Sequence, residues 1–203
     1  MPQCYYITDR RNSRKPVLEQ ILIAIKAGVD LIQLREKDLA TRDLFELAVA
    51  ARALAAAHDC KIIINDRMDI AQAAGLHGIH LGQQSIPPEI IRTGLPDKDF
   101  LVAVSTHTLD EIEKVHEKGV SFITFGPVYF TPSKARFGPP VGIQKLEEAC
   151  RISRIPVFAL GGVNEQNVSE CLQAGASGIA GISLFQGEQE SVVRVVQQIH
   201  RSK

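Results

Sequence analysis

Eight short apolar runs punctuate the 203-residue chain: QCYYIT (3–8), LIQLR (31–35), KIIIN (61–65), GIHLG (78–82), FLVAVS (100–105), SFITFG (121–126), IPVFALG (155–161) and SGIAGIS (177–183). Each is of strand length, and the β-branched ones suit strands buried on both faces. Between them lie stretches with apolar residues at helical spacing, such as 17–29, 42–59, 108–119 and 164–175. Strand and helix therefore alternate about eight times, which predicts an α/β fold of the (βα)8 TIM-barrel type.

The connections support this reading. KAG, EKG and QAG place Gly28, Gly119 and Gly175 directly after helical runs, where a left-handed cap is wanted. AGVDLIQLR, KGVSFITFG and AGASGIAGIS repeat one supersecondary pattern. A doubly wound open sheet would need fewer strands for this length and usually a Gly-rich turn after the first, whereas YYITDRR has no GxGxxG. No Ser/Gly-rich or Pro-rich linker divides the sequence, so residues 1–203 are expected to form a single domain.

With 23 basic and 23 acidic residues there is no net charge to attract nucleic acid or anionic lipid, so an anion must be met by a local site. The apolar runs fall far short of a membrane span. Cys4, Cys60, Cys150 and Cys171 have no CxxC pairing and no signal-like segment precedes them, so the expectation is a cytoplasmic protein with reduced, buried thiols. The oligomeric state is left open; barrels of this size often form homo-oligomers.

In a barrel, catalytic and binding groups gather at the C-terminal ends of the strands. KIIINDRMD runs three isoleucines into Asn65, Asp66 and Arg67, a polar group that is costly to bury without partners and so belongs at the barrel mouth. QLREKD ends strand two, and alternation directs Gln33, Arg35 and Lys37 to one face. VSTHT ends strand five with Ser105 and His107, while Thr108 and Glu111 read as an N-cap and its capping box. Strand six leads into GPVYFTPSKARFGPP (126–140), the longest irregular connection, where Thr131, Ser133 and Lys134 offer two hydroxyls and a cation to a phosphate or pyrophosphate. ALGGVNEQN (159–167) and GIAGISLF (178–185) follow strands seven and eight, the usual phosphate position of barrels. There Gly161, Gly162, Gly181 and Ser183 permit close backbone approach.

His80 lies within strand four and reads as a hydrogen-bonded interior residue. His58, His77, His116 and His200 are expected to be exposed, and no His and Cys triad is spaced in the sequence for zinc. Arg35, Lys37 and Lys134 around Asp66, with a second phosphate cradle across the mouth, suit a small-molecule substrate pair carrying a pyrophosphate and a separate monophosphate. Magnesium would normally bridge such oxygens with one or two carboxylates.

These motifs, in this order, resemble the thiamin phosphate synthases and their relatives, the TenI-type thiazole tautomerases. The matching pieces are YYITDR, LIQLREKD, IINDRMDIAQAAGLHGIHLGQ, VSTHT, FGPVYFTPSK, ALGGV and GIAGIS, which span nearly the whole chain. The resemblance implies joining of hydroxymethylpyrimidine pyrophosphate to thiazole phosphate with release of pyrophosphate. By the same analogy Gln33, Arg35, Lys37, Asn65 and Lys134 hold the pyrimidine pyrophosphate, Asp66 binds Mg2+, and Ser105 lies close to the reacting pair. Backbone at Gly162, Ile182 and Ser183, with Thr131 and Ser133, holds the thiazole phosphate.

One position departs from the pattern. Two residues after HLGQ the synthases usually carry an acid as second metal ligand, and here HLGQQSIPP places Ser85, which ligates only as a neutral hydroxyl or through water. Glu36 and Asp69 are the acids placed to compensate. The loss favours the tautomerase alternative, which needs neither pyrophosphate nor magnesium and would use His107 as acid and base. Retention of Arg35, Lys37, Asn65, Asp66 and Lys134 favours the synthase. A third reading is a non-catalytic sensor that binds the same phosphate ligands without turnover.

Overall fold

Eight parallel strands pair in chain order and close into a barrel: β1 (Gln3–Ile7), β2 (Leu31–Leu34), β3 (Lys61–Asn65), β4 (Gly78–Leu81), β5 (Leu101–Thr106), β6 (Phe122–Phe125), β7 (Val157–Leu160) and β8 (Gly178–Gly181). They alternate with α1 (Val17–Ala27), α2 (Thr41–Ala55), α3 (Met68–Ala73), α4 (Pro88–Gly94), α5 (Leu109–Val115), α6 (Gly142–Ile152), α7 (Val168–Gln173) and α8 (Gln189–Arg201), plus a 3-10 turn at Ser183–Phe185. This computed structural model describes residues 1, 3–95, 97, 99–116, 118–131 and 139–202. Each of the eight apolar runs carries one strand, as the TIM-barrel reading expects. The β1–β8 pairing closes the ring, with Gln3 opposite Gly178 and Tyr6 opposite Gly181.

Alternation along the strands sorts side chains into two apolar populations. Tyr5, Ile7, Leu31, Ile63, Ala103, Phe122, Phe158 and Ala180 pack together inside the barrel. Their chain neighbours, among them Cys4, Tyr6, Ile32, Ile62, Ile64 and Ile79, pack outward against the helices. Tyr5 meets Phe122 and Phe158 edge-on at centroid distances of 5.4 and 6.0 Å, filling the interior below the mouth.

The helices end where their sequences dictate. Gly28 stops α1 at φ 89°, and the Val29 N–H then reaches back to the Ala24 carbonyl at 3.1 Å, a closure only a residue at ease in the left-handed region makes cheaply. Helix α7 begins at Val168 and not at 164, because the Asn164 side-chain oxygen accepts from the Gln166 N–H at 2.8 Å and holds the preceding residues in a turn. Among the described residues no helix is long and apolar enough to cross a membrane.

Buried Gln20 on α1 performs a second task. Its Nε2 donates to the Phe185 carbonyl at 3.1 Å, and its Oε1 accepts from the Gly187 N–H at 3.2 Å. The Gln186 amide donates to the Tyr6 hydroxyl at 3.3 Å. The segment after β8 is thereby fixed to α1 and β1, which matters for the site above it.

Candidate active site

Residues two apart on a strand point the same way, so the inward positions continue upward from the apolar floor into a polar layer. The Tyr5 hydroxyl donates to Gln33 Oε1 at 3.0 Å. Its one proton being committed, its oxygen accepts from His80 Nδ1 at 2.8 Å. Burial drives the His80 pKa down to about 3, with the Asp66 charge opposing the fall and the Arg35 charge adding to it. The ring is therefore neutral at pH 7, its proton sits on Nδ1, and bare Nε2 accepts the Ser105 hydroxyl at 2.8 Å.

On the other side, Gln33 Nε2 donates to Asn65 Oδ1 at 3.2 Å, and Asn65 Nδ2 donates to Asp66 Oδ2 at 2.7 Å. From Ser105 through His80, Tyr5, Gln33 and Asn65 to Asp66, every group donates to the next. The run ends on a carboxylate, the strongest acceptor in it. Ser105 turns its proton inward as a result and presents oxygen lone pairs to the mouth. In the same layer Thr124 Oγ1 is buried without a hydrogen-bond partner among the described residues, beside Ser105 in the strand register. A ligand or water at the mouth would satisfy it.

Asp66 is the one non-glycine residue with positive φ among the described residues, at 60°, a left-handed conformation that Asp adopts more readily than most residues. Ser85, predicted as the second metal position, is brought against it: the Ser85 hydroxyl donates to Asp66 Oδ1 and accepts from the Gly82 N–H at 2.7 Å. Each Asp66 oxygen thus takes one hydrogen bond from the protein and retains a lone pair. One carboxylate and a neighbouring hydroxyl fit Mg2+, which usually meets one or two protein carboxylates and takes its remaining ligands from water and phosphate oxygens.

The two acids expected to compensate for Ser85 are engaged elsewhere. Glu36 is buried and accepts the Arg10 N–H on both oxygens at 3.2 Å. Asp69 is gripped by the Arg67 guanidinium, which holds its carboxyl below the usual range. Arg35 and Lys37, by contrast, join no ion pair among the described residues. The Arg35 N–H is anchored to Thr8 Oγ1 at 3.0 Å, fixing the end of β2 to β1.

His107 follows β5, two residues beyond Ser105. Its N–H donates to Glu111 Oε2 at 2.6 Å, and its Nδ1 faces the Gly126 carbonyl. A carbonyl only accepts, so Nδ1 carries the proton and Nε2 is the basic nitrogen. Thr108 caps α5 as predicted, accepting from the Glu111 N–H at 3.3 Å. The Glu111 carboxylate reaches His107 and the Gln83 amide, not the Thr108 N–H that a full capping box would use. Gln83 also donates to the Ser105 carbonyl at 2.7 Å, tying the loop after β4 to the end of β5.

Across the mouth, Gly162 adopts φ 68°, and a Cβ there would lie 2.6 Å from the Phe130 carbonyl oxygen and 2.7 Å from Tyr129 Cβ. The chain after β6 therefore packs directly on the glycine turn after β7, with the Tyr129 N–H donating to the Gly161 carbonyl at 2.9 Å. Thr131 follows Phe130, whose carbonyl lies against this turn; Ser133 and Lys134 lie outside the described residues. Ile182 and Ser183 open the 3-10 turn after β8 that Gln20 and Tyr6 hold in place.

The polar layer includes three groups that motif reasoning did not place in the site, Tyr5, His80 and Thr124. His80 reads from sequence only as an interior residue, and Tyr5 and Thr124 only as parts of strands. Their signal is positional: each occupies an inward place on its strand, and Asn65 stands directly opposite His80 in the register.

Comparison with known proteins agrees with this fold. The model of the family described as thiamine monophosphate synthase matches residues 4–185. A Geobacter sulfurreducens protein provisionally named as a thiamine-phosphate synthase is 47% identical over 180 residues, covering 88% of this chain and 84% of the relative. The thiamine-phosphate synthase of a Roseiflexus strain is 35% identical over 198 residues, covering 96% of this chain and 84% of its own. Among solved structures, a thiamine phosphate pyrophosphorylase from Pyrococcus furiosus superposes with a TM-score of 0.85 at 31% identity, covering 97% of this chain and 96% of that one.

Proposed function

The chain belongs to the thiamine monophosphate synthase family, and on that premise we infer that it is a thiamin phosphate synthase, joining hydroxymethylpyrimidine pyrophosphate to thiazole phosphate. The C–O bond between the pyrimidine methylene and the pyrophosphate breaks, the electron-rich ring carries the resulting cation, and the thiazole nitrogen forms the new bond to that carbon. Such a reaction needs charge stabilisation at the leaving group and alignment of the nucleophile more than it needs a strong base.

The residues supply those two things. Arg35 and Lys37, with Lys134, would meet the pyrophosphate oxygens. Gln33 and Asn65 would orient the pyrimidine pyrophosphate, and the Ser105 oxygen, with its proton committed to His80, would accept a hydrogen bond from the pyrimidine amino group and support the cation. Backbone at Gly162, Ile182 and Ser183, with Thr131 and Ser133, would hold the thiazole phosphate so that its nitrogen faces the same carbon. Mg2+, held by Asp66 with Ser85 beside it, would neutralise charge on the departing pyrophosphate.

The observation that carries this reading is the directed hydrogen-bonded run from Ser105 to Asp66, with Arg35 and Lys37, which join no ion pair among the described residues, following β2 beside it. A tautomerase would instead act through His107, whose Nε2 is the available base. The test is a coupling assay with both substrates, with and without Mg2+, reading thiamin phosphate by mass. Product that requires Mg2+ supports the synthase; no product from folded protein, with tautomerisation lost in His107→Ala, supports the tautomerase.

A further inference from the structure

At the opposite end of the barrel from the mouth, three groups distant in sequence meet. Cys4 lies on β1, Asp30 in the turn before β2, and His200 in the last turn of α8. His200 Nε2 lies 2.9 Å from Asp30 Oδ2 and 3.7 Å from Cys4 Sγ, and the same Asp30 oxygen accepts the Cys4 N–H at 2.7 Å. One ligand atom from each residue lies within 4.8 Å of the others. No sequence spacing links these three groups; chain closure brings them together. His200 is only partly exposed, contrary to its expected position in solvent.

We propose that Cys4, Asp30 and His200 form a three-ligand site for a divalent transition metal of the zinc class, with water as the fourth ligand. The donor set of thiolate, imidazole and carboxylate is the one such metals take, and it lacks the all-oxygen character that magnesium or calcium prefers. Two of the three ligand spacings come close to those of such an ion, and the third lies within 4.8 Å. A tetrahedral ion with Zn–S of about 2.3 Å and Zn–N of about 2.0–2.1 Å sets its sulfur and nitrogen about 3.6 Å apart, and its nitrogen and oxygen about 3.3 Å apart. The Cys4–His200 spacing of 3.7 Å already matches the first edge, and the His200–Asp30 spacing of 2.9 Å needs only a slight opening.

Access is asymmetric in a way that suits one open coordination position. Cys4 is fully buried, while the His200 and Asp30 side chains keep 27% and 29% of their exposure. Asp30 also borders a cavity of about 230 Å3 at this end of the barrel, together with Gln3, Asp59 and Lys61. The ion would pin the first strand to the last helix, across the seam where the barrel closes.

The test is titration of the metal-stripped full chain with Co2+, following the thiolate-to-cobalt charge-transfer and ligand-field bands, beside thermal melting with and without Zn2+. The expected result is one equivalent of Co2+ with a charge-transfer band, and a melting temperature raised by Zn2+. Affinity should fall at least about tenfold in Cys4→Ser and in His200→Ala, and stay unchanged in Cys171→Ser. Cys4 is a core residue, so His200→Ala, which changes a partly exposed side chain, carries the test if Cys4→Ser does not fold. Absence of the charge-transfer band in the unmodified chain, or its persistence in His200→Ala at unchanged affinity, overturns the proposal and leaves a hydrogen-bonded strap.

Discussion

The direction of the hydrogen-bonded run rests on a neutral His80, and that neutrality has a measurable consequence for stability. In the folded chain burial holds the His80 pKa at about 3, against about 6.5 for an unfolded histidine. The unfolded state therefore takes up a proton first as the pH falls. The contribution is fully present above about pH 6.5 and is lost at roughly 1.4 kcal/mol per pH unit as the pH drops toward the folded pKa. Between about pH 7 and about pH 5 the loss is about 2 kcal/mol. Other groups titrate in the same window, including His77, whose pKa burial also lowers, so the comparison must be a difference. His80→Asn keeps an N–H able to donate to Tyr5 and removes the titrating ring. Urea unfolding of both proteins across this range should show the wild type losing about 2 kcal/mol more than the variant. Parallel pH curves, agreeing within about 0.5 kcal/mol, would mean that the folded chain accommodates a charged His80, and the argument for an outward-facing Ser105 acceptor would fail.

Tyr5→Phe should leave Gln33 Oε1 and His80 Nδ1–H without a partner and cost about 1–3 kcal/mol for each, read by urea unfolding at neutral pH; a loss below about 0.5 kcal/mol would show that water replaces the hydroxyl. Ser85→Asp should replace a hydroxyl that donates to Asp66 with a second carboxylate, lowering the melting temperature without Mg2+ and tightening the apparent Mg2+ affinity in coupling assays. Unchanged Mg2+ dependence would place the metal elsewhere.

The barrel was legible because its information is local and repeated: eight apolar runs, helical spacing between them, and glycines at helix ends all say the same thing. The strand-end motifs were legible for the same reason, since Asn65, Asp66, Gln33 and Ser105 each follow an apolar run. Interactions that cross the barrel left no such trace. Glu36 looks available in QLREKD, but Arg10 on another loop claims it. Asn164 looks helical by its apolar neighbours, but its own side chain competes for the backbone. Cys4 and His200 are separated by nearly the whole chain and meet only because β1 pairs with β8 and α8 packs over that seam.

The same distinction bears on Ser85. Judged as a sequence position, it is a missing carboxylate and a weakened metal site. In the folded chain it supplies the donor that Asp66 Oδ1 takes on one side, as Asn65 supplies the donor to Oδ2 on the other. Asp66 thus keeps its positive φ with both oxygens oriented, and Ser85 adds no second negative charge at that position. A single carboxylate attracts a divalent cation less strongly than a pair, so under the proposed function water and the substrate's pyrophosphate oxygens would have to supply the remaining ligands. Orientation is what the serine retains: Ser85 and the run from Ser105 converge on one carboxylate, and the acid that remains is fixed before substrate arrives.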